Sequence, residues 1–184
     1  IPNGVENSLF QLGKILMLSL ITSFGTASIA ANAIGNNFAQ YQILGGMSVG
    51  IAMVTVVSQC VGAGDYAKVR AYTRKLMKLS YLFIIIMVGI TLALMPLILR
   101  LYNVSAEADG YAVQCILLHS AMACVLWPMA FTLPNTLRAA GDARYTMLVS
   151  VFVMWAVRIG VGYLLGGYFG LGLLGVWIAM VLDW

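Results

Sequence analysis

Charge is what this sequence has least of. Six Asp and Glu and ten Lys and Arg occur in 184 residues, 9% of the chain. Soluble domains carry about 25% charge because a solvated surface requires it, so a water-soluble fold is excluded. Histidine occurs once, and cysteine three times, as Cys60, Cys115 and Cys124, at no metal-ligand spacing. Set in apolar surroundings, those cysteines read as small packed side chains. A phosphate-cradling glycine loop, a His-Glu-x-x-His pair and a Gly-x-Ser-x-Gly elbow are all missing. No enzyme chemistry, catalytic residue, metal or cofactor is therefore expected. The chain opens on Ile1 with no basic, cleavable leader and stops at Trp184 inside an apolar run. A fragment cut at both ends is expected.

What is present is hydrophobic residue, 62% of the chain, arranged in long blocks. A block of roughly 18 or more apolar residues reads as a bilayer-spanning helix. Periodicity and breakers place spans at about 4–24, 28–60, 76–100, 111–134, 146–165 and from 171 onward. The fold class expected is an all-α, polytopic membrane protein. Span two, at about 33 residues and roughly 50 Å, exceeds a perpendicular crossing and must tilt, bend or project. Gly35, Gly45 and Gly46 are places for a bend or for close packing, and Gly162, Gly166 and Gly170 repeat the small-residue spacing.

The loop after span two carries Lys68, Arg70, Arg74, Lys75 and Lys78, and the loop after span four carries Arg138 and Arg144. The alternate loops offer Arg100, followed by Glu107 and Asp109. Loop Lys and Arg mark the cytoplasmic side, so the zigzag starts in the cytoplasm. The net charge of +4 is thus a topology signal with some attraction to lipid headgroups, not a nucleic-acid patch. Residues 66–78 form a basic amphipathic stretch, with Gly64 as a helix C-cap and Asp65 as the next N-cap. Ala140-Gly141-Asp142 repeats the triplet.

Polar groups inside the spans need a reason, since an ionisable side chain near the bilayer centre costs about 2.5–3.5 kcal/mol. Lys14 lies about 18 Å along its helix from Pro2. Asn7, Gln11 and Lys14 share one stripe, with Glu6 to one side. Span two repeats the pattern with Asn32, Asn36 and Gln40, and Asn37 and Gln42 nearby. Two such stripes can line a wet cavity or serve as interhelical hydrogen-bonding glue. Lys14 and Glu6 point to function. Arg158 and Asp183 stand nearly level across the last hairpin, within reach of a structural ion pair. Pro128 and Pro134 break span four beside Asn135, which marks either a transport site or a bent packing helix. His119 shows no evident partner and reads as a packed histidine rather than a proton relay.

Five stretches together carry a resemblance. They are Ile1-Pro2-Asn3-Gly4-Val5-Glu6-Asn7-Ser8-Leu9-Phe10-Gln11-Leu12-Gly13-Lys14, Ala30-Ala31-Asn32-Ala33, Gly62-Ala63-Gly64-Asp65, Leu133-Pro134-Asn135-Thr136-Leu137-Arg138-Ala139-Ala140-Gly141-Asp142 and Gly175-Val176-Trp177-Ile178-Ala179-Met180. The chain resembles the C-terminal lobe of a multidrug and toxin extrusion (MATE) transporter, over nearly its whole length, 1–184. The resemblance implies twelve helices in two six-helix lobes, with a missing N-terminal lobe as partner. It implies an integral, multi-pass protein of a prokaryotic plasma (inner) membrane. It also implies cation-driven antiport, Na⁺ or H⁺ in and amphipathic or cationic drugs out, by alternating access. One branch of the family places a Glu and an Asp of a cation site where this chain has Phe10 and Trp127. That site is not carried over, which leaves Glu6 or the other lobe to couple the ion. A lipid or lipid-linked-oligosaccharide flippase of the same superfamily is the alternative, since Lys14 and Arg158 suit an anionic headgroup. A non-transporting subunit would scatter polar residues as pairs, whereas here they align on two helices. The cavity set expected is Glu6, Asn7, Gln11, Lys14, Asn32, Asn36, Gln40 and Asn135, with Arg158 and Asp183 as an intramembrane ion pair.

The orientation is open to a labelling test. With the native cysteines removed, cysteines at Ala67 and Ala143 should resist a membrane-impermeant thiol reagent in intact cells. Ready labelling of both would reverse the topology.

Overall fold

A computed structural model describes the backbone from Pro2 to Trp184 and side chains from Ser8 onward. Among the described residues every element is a helix. Helix α1 runs Pro2–Thr22, α2 Thr26–Gly62 and α3 Tyr66–Tyr102. Helix α4, Ala106–Val125, continues through a π-helical turn at Pro128–Thr132 and a short helix, Pro134–Ala139. Helix α5, Ala143–Tyr168, is π-helical over Met154–Ile159 and again over Tyr163–Tyr168. Helix α6 is Gly172–Leu182. Four helices, α2 to α5, are long and apolar enough to cross a membrane, while Ser8–Thr22 of α1 and Gly172–Leu182 are shorter apolar helices.

The basic stretch 66–78 does not form a separate helix. It runs without a break into the third span, giving a 37-residue α3 that matches the 37-residue α2. No Gly or Pro interrupts it before Gly89, and its Ala, Lys, Arg, Leu and Met are good helix formers. Each helix is about 55 Å long, so both project beyond a hydrocarbon core of about 30 Å. The two Ala-Gly-Asp turns share one construction. Gly64 and Gly141 take φ of +70° and +97°, where a side chain would be strained. Asp65 and Asp142 then accept hydrogen bonds from the amides of Lys68 and Tyr145 at 3.0 and 3.3 Å. The hydrogen bond from the Lys68 ammonium holds the Asp65 carboxyl below its usual value. Capping accounts for the repeated triplet.

Helix α2 is the axis of the bundle, touching α1, α3, α4 and α6. It remains α-helical throughout, so its glycines serve contact rather than bending. A Cβ on Gly35 would lie 2.7 Å from the Trp177 ring, and one on Gly46 would lie 2.5 Å from that of Trp127. Both indoles therefore press on bare α2 backbone, each anchoring one of the two apolar clusters. Between the two levels lies Gln42, fully buried at 0% exposure. Its amide nitrogen donates to Thr91 (3.1 Å) and Ser120 (2.8 Å), and its oxygen lies 2.7 Å from His119 Nδ1. The two hydroxyls spend their own hydrogens on the carbonyls of Met87 and Ile116, so each accepts from Gln42. Gln42 Oε1 must then accept from His119 Nδ1–H, which fixes the tautomer. His119, without a partner in the sequence reading, is thus a bound member of the junction, and its ring packs edge-on against Trp177 and Trp184.

The proline break in α4 is real, and polar side chains gather on the backbone around it. Tyr81 donates to the Val125 carbonyl at 3.1 Å, Leu133 N–H reaches the Pro128 carbonyl at 2.9 Å, and Asn135 Nδ2 donates to the Phe131 carbonyl at 3.2 Å. Ser80 and Thr132 join α3 to the π turn at 2.9 Å. Such a break is tolerated in a membrane where protein surrounds it.

Candidate functional site

A cleft of about 270 Å³ opens between α1, α2, α5 and α6. Lys14 comes from α1, Asn32 and Asn36 from α2, Arg158 from α5 and Trp177 from α6. Their distances from the turns at the end remote from the basic loops are about 8–15 Å. Heptad-like spacing brings Met17 and Ile21 of α1 into the same wall as Lys14. Trp177 Nε1 donates to Asn32 Oδ1 at 3.1 Å, and Asn36 Nδ2 donates to the Asn32 carbonyl at 2.8 Å. Asn32 is therefore held by the indole, with its own amide hydrogens left over. Lys14 makes no ion pair or hydrogen bond among the described residues.

Arg158 and Asp183 form a two-point ion pair, Nε to Oδ2 at 2.7 Å and Nη2 to Oδ1 at 2.9 Å. Their side chains are 11% and 3% exposed. The Nη2 contact is a hydrogen bond and the Nε contact an ion-pair approach, which together offset part of the hydration the two ions lose. Arg158 sits on the first π-helical stretch of α5. The pair staples α5 to α6 and divides two clefts. On its far side a cleft of about 460 Å³ is lined by Phe10, Pro134, Arg138, Tyr145, Asp183 and Trp184 among others.

The remaining site candidates separate. Gln11 and Gln40 are exposed and do not line the Lys14 cleft; they continue the two stripes one turn toward the basic end. Asn135 is not brought to Lys14 either. It abuts the backbone at Gly50, holds the Phe131 carbonyl, and accepts from Arg138 Nη1 at 3.1 Å. The side chains of Glu6 and Asn7 lie outside the described residues. Phe10 lines the larger cleft, while Trp127 is buried and stacked on Phe131 at 5.2 Å. Among the described residues no cluster of His, Cys, Asp or Glu is placed to hold a metal. Sequence reasoning missed Trp177 as a cleft residue. The available signal was an indole N–H in an apolar run, a donor that must find an acceptor.

A sequence profile for one family, MatE, matches residues 2–164. The chain belongs to the MatE family. Among its relatives, the probable multidrug resistance protein YoeA of Bacillus subtilis is 25% identical over 97% of this chain and 38% of its own length. The probable multidrug resistance protein NorM of Thermotoga maritima is 27% identical over 99% of this chain and 39% of its own length. An outward-facing structure of a multidrug resistance MATE family transporter superposes with a TM-score of 0.86 at 17% identity, over 99% of this chain and 41% of that one. That likeness shows the fold: a six-helix lobe of a two-lobed membrane transporter fold. This MatE chain is a multi-pass integral membrane protein, and it spans about two fifths of the length of the relatives it matches.

The Arg158–Asp183 pair makes a definite prediction. Arg158→Ala or Asp183→Ala alone should cost about 3–5 kcal/mol, because each leaves a buried charge uncompensated. The double variant should be better folded than either single one, by yield and monodispersity in detergent. A double variant no better than the worse single one would mean the ions do not act as a pair.

Proposed function

We propose that this chain is the C-terminal lobe of a cation-coupled antiporter that exports amphipathic or cationic compounds by alternating access. The observation that carries the reading is the cleft itself. Polar side chains from α1 and α2 meet Arg158 and Trp177 inside an apolar bundle, and Lys14 and Asn36 remain exposed on the lobe alone. Polar groups are tolerated at such depth where they line a wet cavity, and transporters place their sites between lobes. The chain's length relative to YoeA and NorM, and their description as probable multidrug resistance proteins, support the same reading. The remaining partner is the N-terminal six-helix lobe of the same polypeptide, in the plasma membrane of a prokaryote.

Coupling to Na⁺ or H⁺ falls in this account to Glu6 or to the other lobe. The aromatic Phe10 and Trp127 offer no carboxylate, and Asp183 is occupied by Arg158. Alternating access then consists of the two lobes rocking about the cleft, with α2 keeping this lobe a single body.

The test is flux. The full transporter in proteoliposomes should move a lipophilic drug against its gradient when an inward Na⁺ or H⁺ gradient is imposed. Asn36→Ala should slow that flux several-fold per folded molecule, since Asn36 is exposed in the cleft. Flux indifferent to both ion gradients would refute coupled antiport.

A further inference from the structure

We infer that the Lys14 cleft binds the anionic end, a carboxylate or a phosphate, of an amphipathic ligand. The inference rests on the chain being a transporter lobe and names what that lobe recognises.

The charge balance of the cleft carries it. Arg158 commits Nε and Nη2 to Asp183, and that carboxylate faces the larger cleft, not this one. The Arg158 charge is thereby neutralised. Lys14 has no such partner among the described residues, so the lining keeps one uncompensated positive charge and no carboxylate. The free hydrogen-bonding groups also lean one way. Lys14 Nζ, the Asn32 amide hydrogens and Arg158 Nη1 are donors, while Asn32 Oδ1 is already taken by Trp177. Asn36 supplies the one side-chain acceptor left open.

The rest of the lining is apolar, with Met17, Ile21 and the Trp177 indole forming walls beside those donors. A volume of about 270 Å³ is at the small end of ligand sites, which suits a charged group with a few methylenes rather than a whole drug. Its low-dielectric walls strengthen the lysine's attraction for an anion and its repulsion of a cation. A cationic amphiphile is therefore kept out of this cleft and left to the opposite lobe.

The experiment is equilibrium binding to the full transporter in phosphatidylcholine nanodiscs, followed by the fluorescence of dansyl-undecanoate. The wild type should bind it saturably, and decyltrimethylammonium should not displace it. Decanoate as competitor assigns the site to carboxylates; displacement by decyl phosphate alone assigns it to phosphate headgroups. Lys14→Gln should weaken binding by about tenfold, the loss of one charge-assisted contact. Lys14→Arg should restore most of it, which separates recognition from folding. Lys14→Gln binding as tightly as wild type, or displacement by the trimethylammonium compound, would overturn the assignment. No ion gradient enters this assay, so its failure leaves coupled export standing, and failed export leaves the binding result intact.

Discussion

A polar group carried into the hydrocarbon zone must find its partner inside the protein, and the Gln42 junction is where this lobe meets that demand most completely. One amide ties α2 to α3 through Thr91 and to α4 through Ser120 and His119. Every hydrogen in the junction has a direction, because both hydroxyls are already committed to backbone carbonyls. An amide in that setting is costly if any one contact fails, so it specifies a single register of three helices. Around it the apolar packing follows. Trp177 and Trp127 close on α2 at Gly35 and Gly46, one on each side of Gln42 along the helix.

The same accounting separates structure from function elsewhere. Beside the break at Pro128 and Pro134, Tyr81 and Asn135 bond the carbonyls of Val125 and Phe131. Where two ions enter the bundle, they face each other in a fork. Lys14 is the exception, an ionisable side chain at depth with no partner among the described residues. In a soluble protein an exposed lysine needs no comment; in a membrane lobe it marks the surface that water, ligand or the second lobe must cover.

The six helices, their turns and both aspartate caps were legible in the sequence because they depend on local composition: apolar blocks, Gly at positive φ, Asp at the N-cap. The Arg158–Asp183 contact was legible because one hairpin fixes its register. Contacts that cross the bundle were not. Gln42 and His119 are 77 residues apart, and Asn32 and Trp177 are 145 apart, so no periodicity joins them. Asn135 lies away from the Lys14 cleft, and a proline-broken helix with an amide beside it looks the same in sequence whether the amide serves a ligand or a backbone carbonyl. Gln11 and Gln40 fell on the right stripes, but helical angle does not say where along a stripe the neighbouring helices part to form a cleft. The continuity of α3 was missed for a different reason: its basic first turns change polarity without changing helix propensity.

The central claim is that polar groups satisfied within the lobe hold it together, and that Lys14, unpaired among the described residues, serves the transported ligand. Thermal unfolding of the full transporter in detergent, with Gln42→Leu and Lys14→Gln compared side by side, tests it directly. Gln42→Leu strands the His119 donor and should cost about 1–3 kcal/mol, seen as a clearly lower midpoint. Lys14→Gln breaks no hydrogen bond or ion pair among the described residues and should unfold at the wild-type temperature. Equal losses in both variants, or a wild-type midpoint for Gln42→Leu, would contradict the account.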